Sequence, residues 1–161
     1  MTRKHTPKIT LLHSRTRALA ALSQATRDWQ QNSDVFTRLC RRLATTMSLE
    51  TQLAIFAEEL GGLVHFDRLC YQHHFGHHEF IYATGTGGPH TCKYRLTLEG
   101  VHYGDLSIQR RVRFADEELA AIEQLIGVLI FPVRNACRYG DIGVTASTGV
   151  VSHASPAGPL R

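Results

Sequence analysis

Residues 66–111 read FDRLCYQHHFGHHEFIYATGTGGPHTCKYRLTLEGVHYGDLSIQRR, and this stretch decides the fold. Before it, apolar residues return every three to four positions. Within it the interval falls to about two while β-branched and aromatic residues rise, the change from helix to strand. Four strands are predicted, over residues 66–75, 79–86, 92–98 and 104–111. Phe75-Gly76 reads as a tight hairpin turn, residues 85–89 as a flexible crossover, and Glu99-Gly100 and residues 102–104 as further loop. Parallel crossovers need a dozen or more residues, so strands this close together pair antiparallel.

Helical patterns flank the stretch. Residues 15–31 are strong helix formers with a thin apolar set, Leu19, Leu22, Ala25 and Trp29, the pattern of a helix that packs on a partner. Ser33 or Asp34 is expected to cap a second helix carrying Val35, Phe36, Leu39, Cys40 and Leu43. Ser48 opens a third in an S-x-x-T variant of the capping box, with Leu49, Leu53, Phe56, Ala57 and Leu60 inward and Gly61-Gly62 as a left-handed exit. Downstream, Asp116 is expected to cap a long helix with the stripe Leu119, Ile122, Leu125, Ile126, Leu129, Ile130 and Val133. Pro132 should kink it and Gly140 should end it. The order predicts an α+β fold, an antiparallel sheet with helices packed on one face and preceded by N-terminal helices, its other face free for a ligand. By segment, residues 1–14 are a basic flexible arm, 15–31 an N-terminal helix, 33–139 the globular domain and 140–161 a disordered tail.

The 161 residues, 43% apolar and 20% charged, exclude collagen-like, wholly disordered and disulfide-miniprotein classes. No apolar run approaches the ~20 residues of a membrane span and no signal-peptide core follows the first residues, so a cytoplasmic protein without a membrane partner is expected. Cys40, Cys70, Cys92 and Cys137 form no C-x-x-C pair, which favours free thiols. Residues 1–45 hold nine Lys/Arg against two acids and the remainder nine against twelve, so the net +4 belongs to the amino-terminal segment. That segment lacks interleaved aromatics, which argues against a nucleic-acid partner.

Residues 94–139, YRLTLEGVHYGDLSIQRRVRFADEELAAIEQLIGVLIFPVRNACRY, resemble the carboxy-terminal half of a GAF domain, and FDRLCYQHH at 66–74 with the preceding helices resembles the first half. The likeness covers residues 34–139 and is to the small GAF sensory domains found N-terminal to bacterial GGDEF diguanylate cyclases. It implies a non-catalytic sensory domain that binds a small ligand and acts on a GGDEF-type output protein; a homodimer through the N-terminal and final helices is expected from the thin apolar stripe of the first helix and the surplus of apolar residues on the last. No GGDEF-like segment follows Gly140, so the resemblance implies a stand-alone regulator or a truncated cyclase, and cyclase activity is not carried over. It names no cofactor.

Among single residues, Tyr71, Phe80, Tyr82 and Tyr94 alternate along strands and are the candidates to line a ligand pocket; aromatics in this pattern also fill sheet–helix cores. In His73-His74-Phe75-Gly76-His77-His78, a turn at Phe75-Gly76 would set His74 against His77 and His73 against His78 on opposite faces, making His73 and His78 candidate metal ligands. The alternative function is therefore a small metal- or redox-responsive protein using the 73–78 cluster or its cysteines, with Cys70 and Cys92 meeting across the sheet and Cys40 and Cys137 on apolar helix faces. Arg110, Arg111 and Arg113 read as cations blunting an edge strand, or as an anion site. The glycine-rich stretch 85–88 lacks the Lys-Ser/Thr of a phosphate loop.

Overall fold

The computed structural model describes residues 8–140, in the order α1 (Lys8–Leu43), α2 (Leu49–Gly61), β1 (Arg68–Phe75), β2 (His78–Gly85), β3 (His90–Leu98), β4 (Val101–Arg110) and α3 (Asp116–Tyr139). The class is α+β: one four-stranded antiparallel sheet, with N-terminal helices before it and a helix after it. The strands lie in the order β2-β1-β4-β3, so two hairpins join through their first and last strands rather than forming a meander. Residues 86–89 must carry the chain from one edge of the sheet to the other, past the ends of β1 and β4.

That crossover is closely fitted, not the flexible loop expected. A Cβ on Gly85 would stand 1.9 Å from the Asp67 carbonyl oxygen, and one on Gly88 would stand 2.4 Å from the Arg110 carbonyl carbon. Glycine is required because the backbone there runs directly against the two central strand ends.

Both hairpins have two-residue loops. Phe75 pairs with His78, so the first turn is Gly76-His77, one residue later than expected, with φ +59° at Gly76 as a II′ turn demands. In the second, Leu98 pairs with Val101 and both Glu99 and Gly100 take positive φ, as in a I′ turn. Residues 102–104 are not loop: Arg95 pairs with Asp105 and Thr97 with His102, so β4 carries an extra residue in a bulge. Gly104, at φ +112°, belongs to that bulge; a Cβ there would stand 2.6 Å from the Tyr71 ring.

Alternation sorts the sheet into two faces. Leu69, Tyr71, Leu96, Leu106 and Ile108 are buried and share one core with α1, α2 and α3. The opposite face carries Gln72, His74, Glu79, Ile81, Lys93, Arg95 and Asp105, all exposed, around a central row of Ala83, Cys70, Ser107 and Lys93.

The helices depart from expectation in two places. Residues 8–43 form one helix, with no break at Ser33 or Asp34 and with Lys8–Ser14 inside it rather than in an arm. Polar residues inside a helix cost under ~1 kcal/mol each, while burial of Val35, Leu39 and Leu43 anchors the distal half. Cys40 is exposed, off that stripe. Gly62 closes α2 in the right-handed region, and neither Gly61 nor Gly62 takes positive φ. The expected Ser48 cap is present: its hydroxyl accepts from the Thr51 amide at 3.3 Å and from the Thr51 hydroxyl at 3.1 Å, while the Ser48 amide donates to the Thr46 hydroxyl at 3.1 Å, so the reciprocal half of a capping box is supplied by Thr46 and not by Thr51. In α3, Ala115 occupies the cap position and Glu118, not Asp116, accepts from its amide at 2.8 Å.

Helix α3 runs through Pro132 to Tyr139. Length and composition alone would let it cross a membrane, but Ile122, Leu125, Leu129, Val133 and Ala136 are core residues here. Its end is fitted too: a Cβ on Gly140 would stand 2.2 Å from the Met47 carbonyl oxygen. The basic arm before Lys8 and the tail after Gly140 lie outside the described residues.

Candidate functional site

The four aromatic candidates all project from the helix-side face. Tyr82, Tyr71 and Tyr94 fall in one row across the sheet, with Leu106 between the last two. Phe80 stands in the next row against His73, its ring edge-on to Tyr71 at 6.1 Å. Tyr71 has no exposed surface and its hydroxyl donates to the Tyr103 carbonyl; the other three are half-buried and pack on the core. Burial pushes the hydroxyls of Tyr71, Tyr82 and Tyr94 above the ordinary phenol range. The row is therefore the packing layer between sheet and helices, at a distance from the open face.

The turn position re-sorts the histidines. His73 pairs with Phe80 and His78 with Phe75, so His73 and His78 are diagonal neighbours on one face rather than directly opposed. His74 lies on the free face, 3.6 Å from Glu79, and His77 sits in the turn. The His73 ring instead meets Phe75 at 4.5 Å and His102 at 5.5 Å, and its Nδ1 is buried without a partner. Burial, then the neighbouring His102 and His74, hold His73 below the usual imidazole value. His102 is 3.2 Å from Asp105. Among the described residues no group of three or more His, Cys, Asp or Glu is placed to hold a metal ion.

All four cysteines are free thiols. Cys70 and Cys92 cannot meet: β4 separates their strands, and Cys70 faces the free side while Cys92 faces the helices. Burial raises the Cys92 thiol and pushes Cys137 up to about 11, the opposite of what activates a thiolate.

Arg110 is the largest surprise. β4 is a central strand, and the Arg110 side chain is 6% exposed. Its guanidinium donates to the carbonyls of His65 at 3.0 Å, Val112 at 2.8 Å and Arg113 at 2.7 Å, and to both carboxylate oxygens of Glu118, while stacking 4.2 Å from the Phe114 ring centroid. It is neither a solvated edge charge nor a free anion site; it locks the end of β4 to the start of α3. A second buried junction joins α1 to α2, where Glu59, 4% exposed, accepts from Arg38 at 2.7 Å and Arg42 at 2.8 Å.

Among the described residues, two open features stand out. One is the free face, with small residues Ala83, Cys70 and Ser107 across its middle, flanked by Gln72 and Arg95 on one side and Arg68 and Gln109 on the other. The other, which sequence reasoning missed because its parts lie far apart in the chain, is a depression of about 220 Å³ between β3 and the start of α3, lined by His90, Thr91, Cys92, Arg113, Phe114 and Leu119. None of the four aromatic candidates lines it. No family model, curated protein or solved structure matches the chain significantly.

Proposed function

We propose that this chain is a non-catalytic sensory module of GAF type, which binds a small ligand on the free face of its sheet and dimerises through its helices to act on a separate GGDEF-type output protein. The observation that carries the reading is the one-sided sheet. All three helices contribute to the core on one face, while the other offers hydrogen-bonding side chains around a trough of small residues. The ligand is assigned to that trough, because Tyr71, Phe80, Tyr82 and Tyr94 are engaged in the core.

Dimerisation is supported by α1. Its described side chains between Thr16 and Gln30 are all exposed, Leu19 at 65% and Leu22 at 64%. Helices draw most of their stability from packing an apolar face, so a segment extended beyond its own domain suits a second copy. The resemblance to GAF domains supplies the sensory role.

A metabolite library screened by thermal shift and by amide chemical shifts of the labelled chain tests the ligand reading. Perturbation centred on Cys70, Ala83 and Ser107, abolished by Ser107→Trp, is expected. Perturbation elsewhere, or none, would overturn it.

A further inference from the structure

β3 forms one edge of the sheet, so along its nine residues alternate backbone N–H and C=O groups face away from any partner strand. The 220 Å³ depression opens beside its first residues. Pockets that enclose a whole small molecule run to about 300–1,000 Å³, so this one is sized for a single side chain. Cys92, Phe114 and Leu119, all half-buried, supply apolar lining, and His90, Thr91 and Arg113, all exposed, supply polar lining. The Arg113 backbone is held by the Arg110 guanidinium, while its own guanidinium makes no ion pair among the described residues. On the other face of the same strand stand Lys93 and Arg95, both exposed, and β3 itself contains no acid.

We propose that β3 is a docking edge for an extended acidic peptide, which adds to the sheet as a fifth strand and seats one apolar side chain in the depression beside Phe114 and Leu119. A strand in that position sends alternate side chains to opposite faces. Those on the free face meet Lys93 and Arg95 and are acidic; those on the helix side meet Cys92, Tyr94 and the depression and are apolar. Main-chain pairing supplies the attachment, and the cations select the partner by charge. This inference is independent of the ligand assigned to the free face.

The probe is a blocked peptide of about six residues alternating Glu and Leu, a typical strand length, titrated into the full labelled chain. Amide shifts confined to β3 and the residues around Phe114 are expected, with binding that weakens as salt screens the charges. Lys93→Glu with Arg95→Glu, at exposed side chains on the face where the acids would lie, should weaken binding at least tenfold, as should alternate N-methylation of the peptide. Overturning results are equal binding by a Lys–Leu counterpart, unchanged affinity in Lys93→Glu with Arg95→Glu, shifts no larger than acetate alone produces, shifts on β2 in place of β3, or no binding at millimolar peptide.

Discussion

Replacing Glu118 by Gln tests the lock between β4 and α3. The amide keeps the shape of the carboxylate and one oxygen to accept from Arg110 and the Ala115 amide, but its NH2 replaces the second acceptor, so the change removes the charge together with one hydrogen bond from Arg110. The hydrogen bond from Arg110, then that from the Ala115 amide, holds the Glu118 carboxyl down to about 2 from its usual 4.5. At about 1.4 kcal/mol for each tenfold change in proton affinity the full shift would be worth about 3 kcal/mol, and because the Glu118 side chain is 31% exposed, solvent screening brings the expected contribution to about 1–2 kcal/mol while the group is ionised. Because the folded value lies below the unfolded one, that contribution is complete above about pH 4.5 and is lost as pH falls through about 2. Urea unfolding of both proteins, from neutral pH down through this window, should show a difference of about 1–2 kcal/mol that closes toward zero at the acid end. The same loss is large against the ~5–15 kcal/mol that domains of this kind possess. A difference that does not change with pH, or one under about 0.5 kcal/mol at neutral pH, would refute the assignment of Arg110 and Glu118 as a partly desolvated pair.

Gly88→Ala should destabilise by several kcal/mol in thermal unfolding, since its Cβ meets the Arg110 backbone at 2.4 Å; Gly87→Ala should be far milder, because its Cβ meets only the movable end of the Gln109 side chain. His73 is held below its usual value, so the unfolded chain binds the proton more readily and stability falls as pH drops below the ordinary imidazole range. His73→Phe should flatten that part of the melting-temperature profile, and an unchanged slope would count against the buried ring. Leu19→Glu with Leu22→Glu should leave the unfolding free energy within about 0.5 kcal/mol when measured on monomer, because both side chains are exposed, while sedimentation reports loss of the dimer. A wild-type chain that sediments as a monomer would remove the dimer from the proposal.

Much of this fold is legible in residue spacing, and what is not has specific physical causes. Period-two alternation locates all four strands because each has a face turned to the helices and a wetter one, though in β2 the inward residues are only half-buried. It leaves the hairpin register ambiguous by one residue, since Phe75-Gly76 and Gly76-His77 both place the glycine in the turn; the II′ requirement for glycine at the first central position decides for the second. That single step moves His74 to face Glu79 and takes apart the His73–His78 pairing. Gly104 looked like loop because a glycine inside a strand pattern signals either a loop or a bulge, and only the Tyr71 ring lying on it separates the two. Arg110 could not be found by pattern at all. Its burial depends on carbonyls of His65, Val112 and Arg113 and a carboxylate eight residues on, none of which polarity or period encodes.

The crossover glycines also determine what the sheet presents to the outside. Because residues 86–89 can pass tightly over the ends of β1 and β4, the two hairpins join through their outer strands in sequence, which leaves β2 and β3 as the edges. The edges differ in chemistry. β3 carries Lys93 and Arg95 with no acid, whereas β2 carries Glu79 and an exposed Ile81 with no Lys or Arg. Two copies meeting β3 to β3 would bring these cations together, and like charges on paired strands are unfavourable. Self-association of β3 with β3 is thereby discouraged while pairing with an oppositely charged strand is not, which suits that edge to an acidic partner strand.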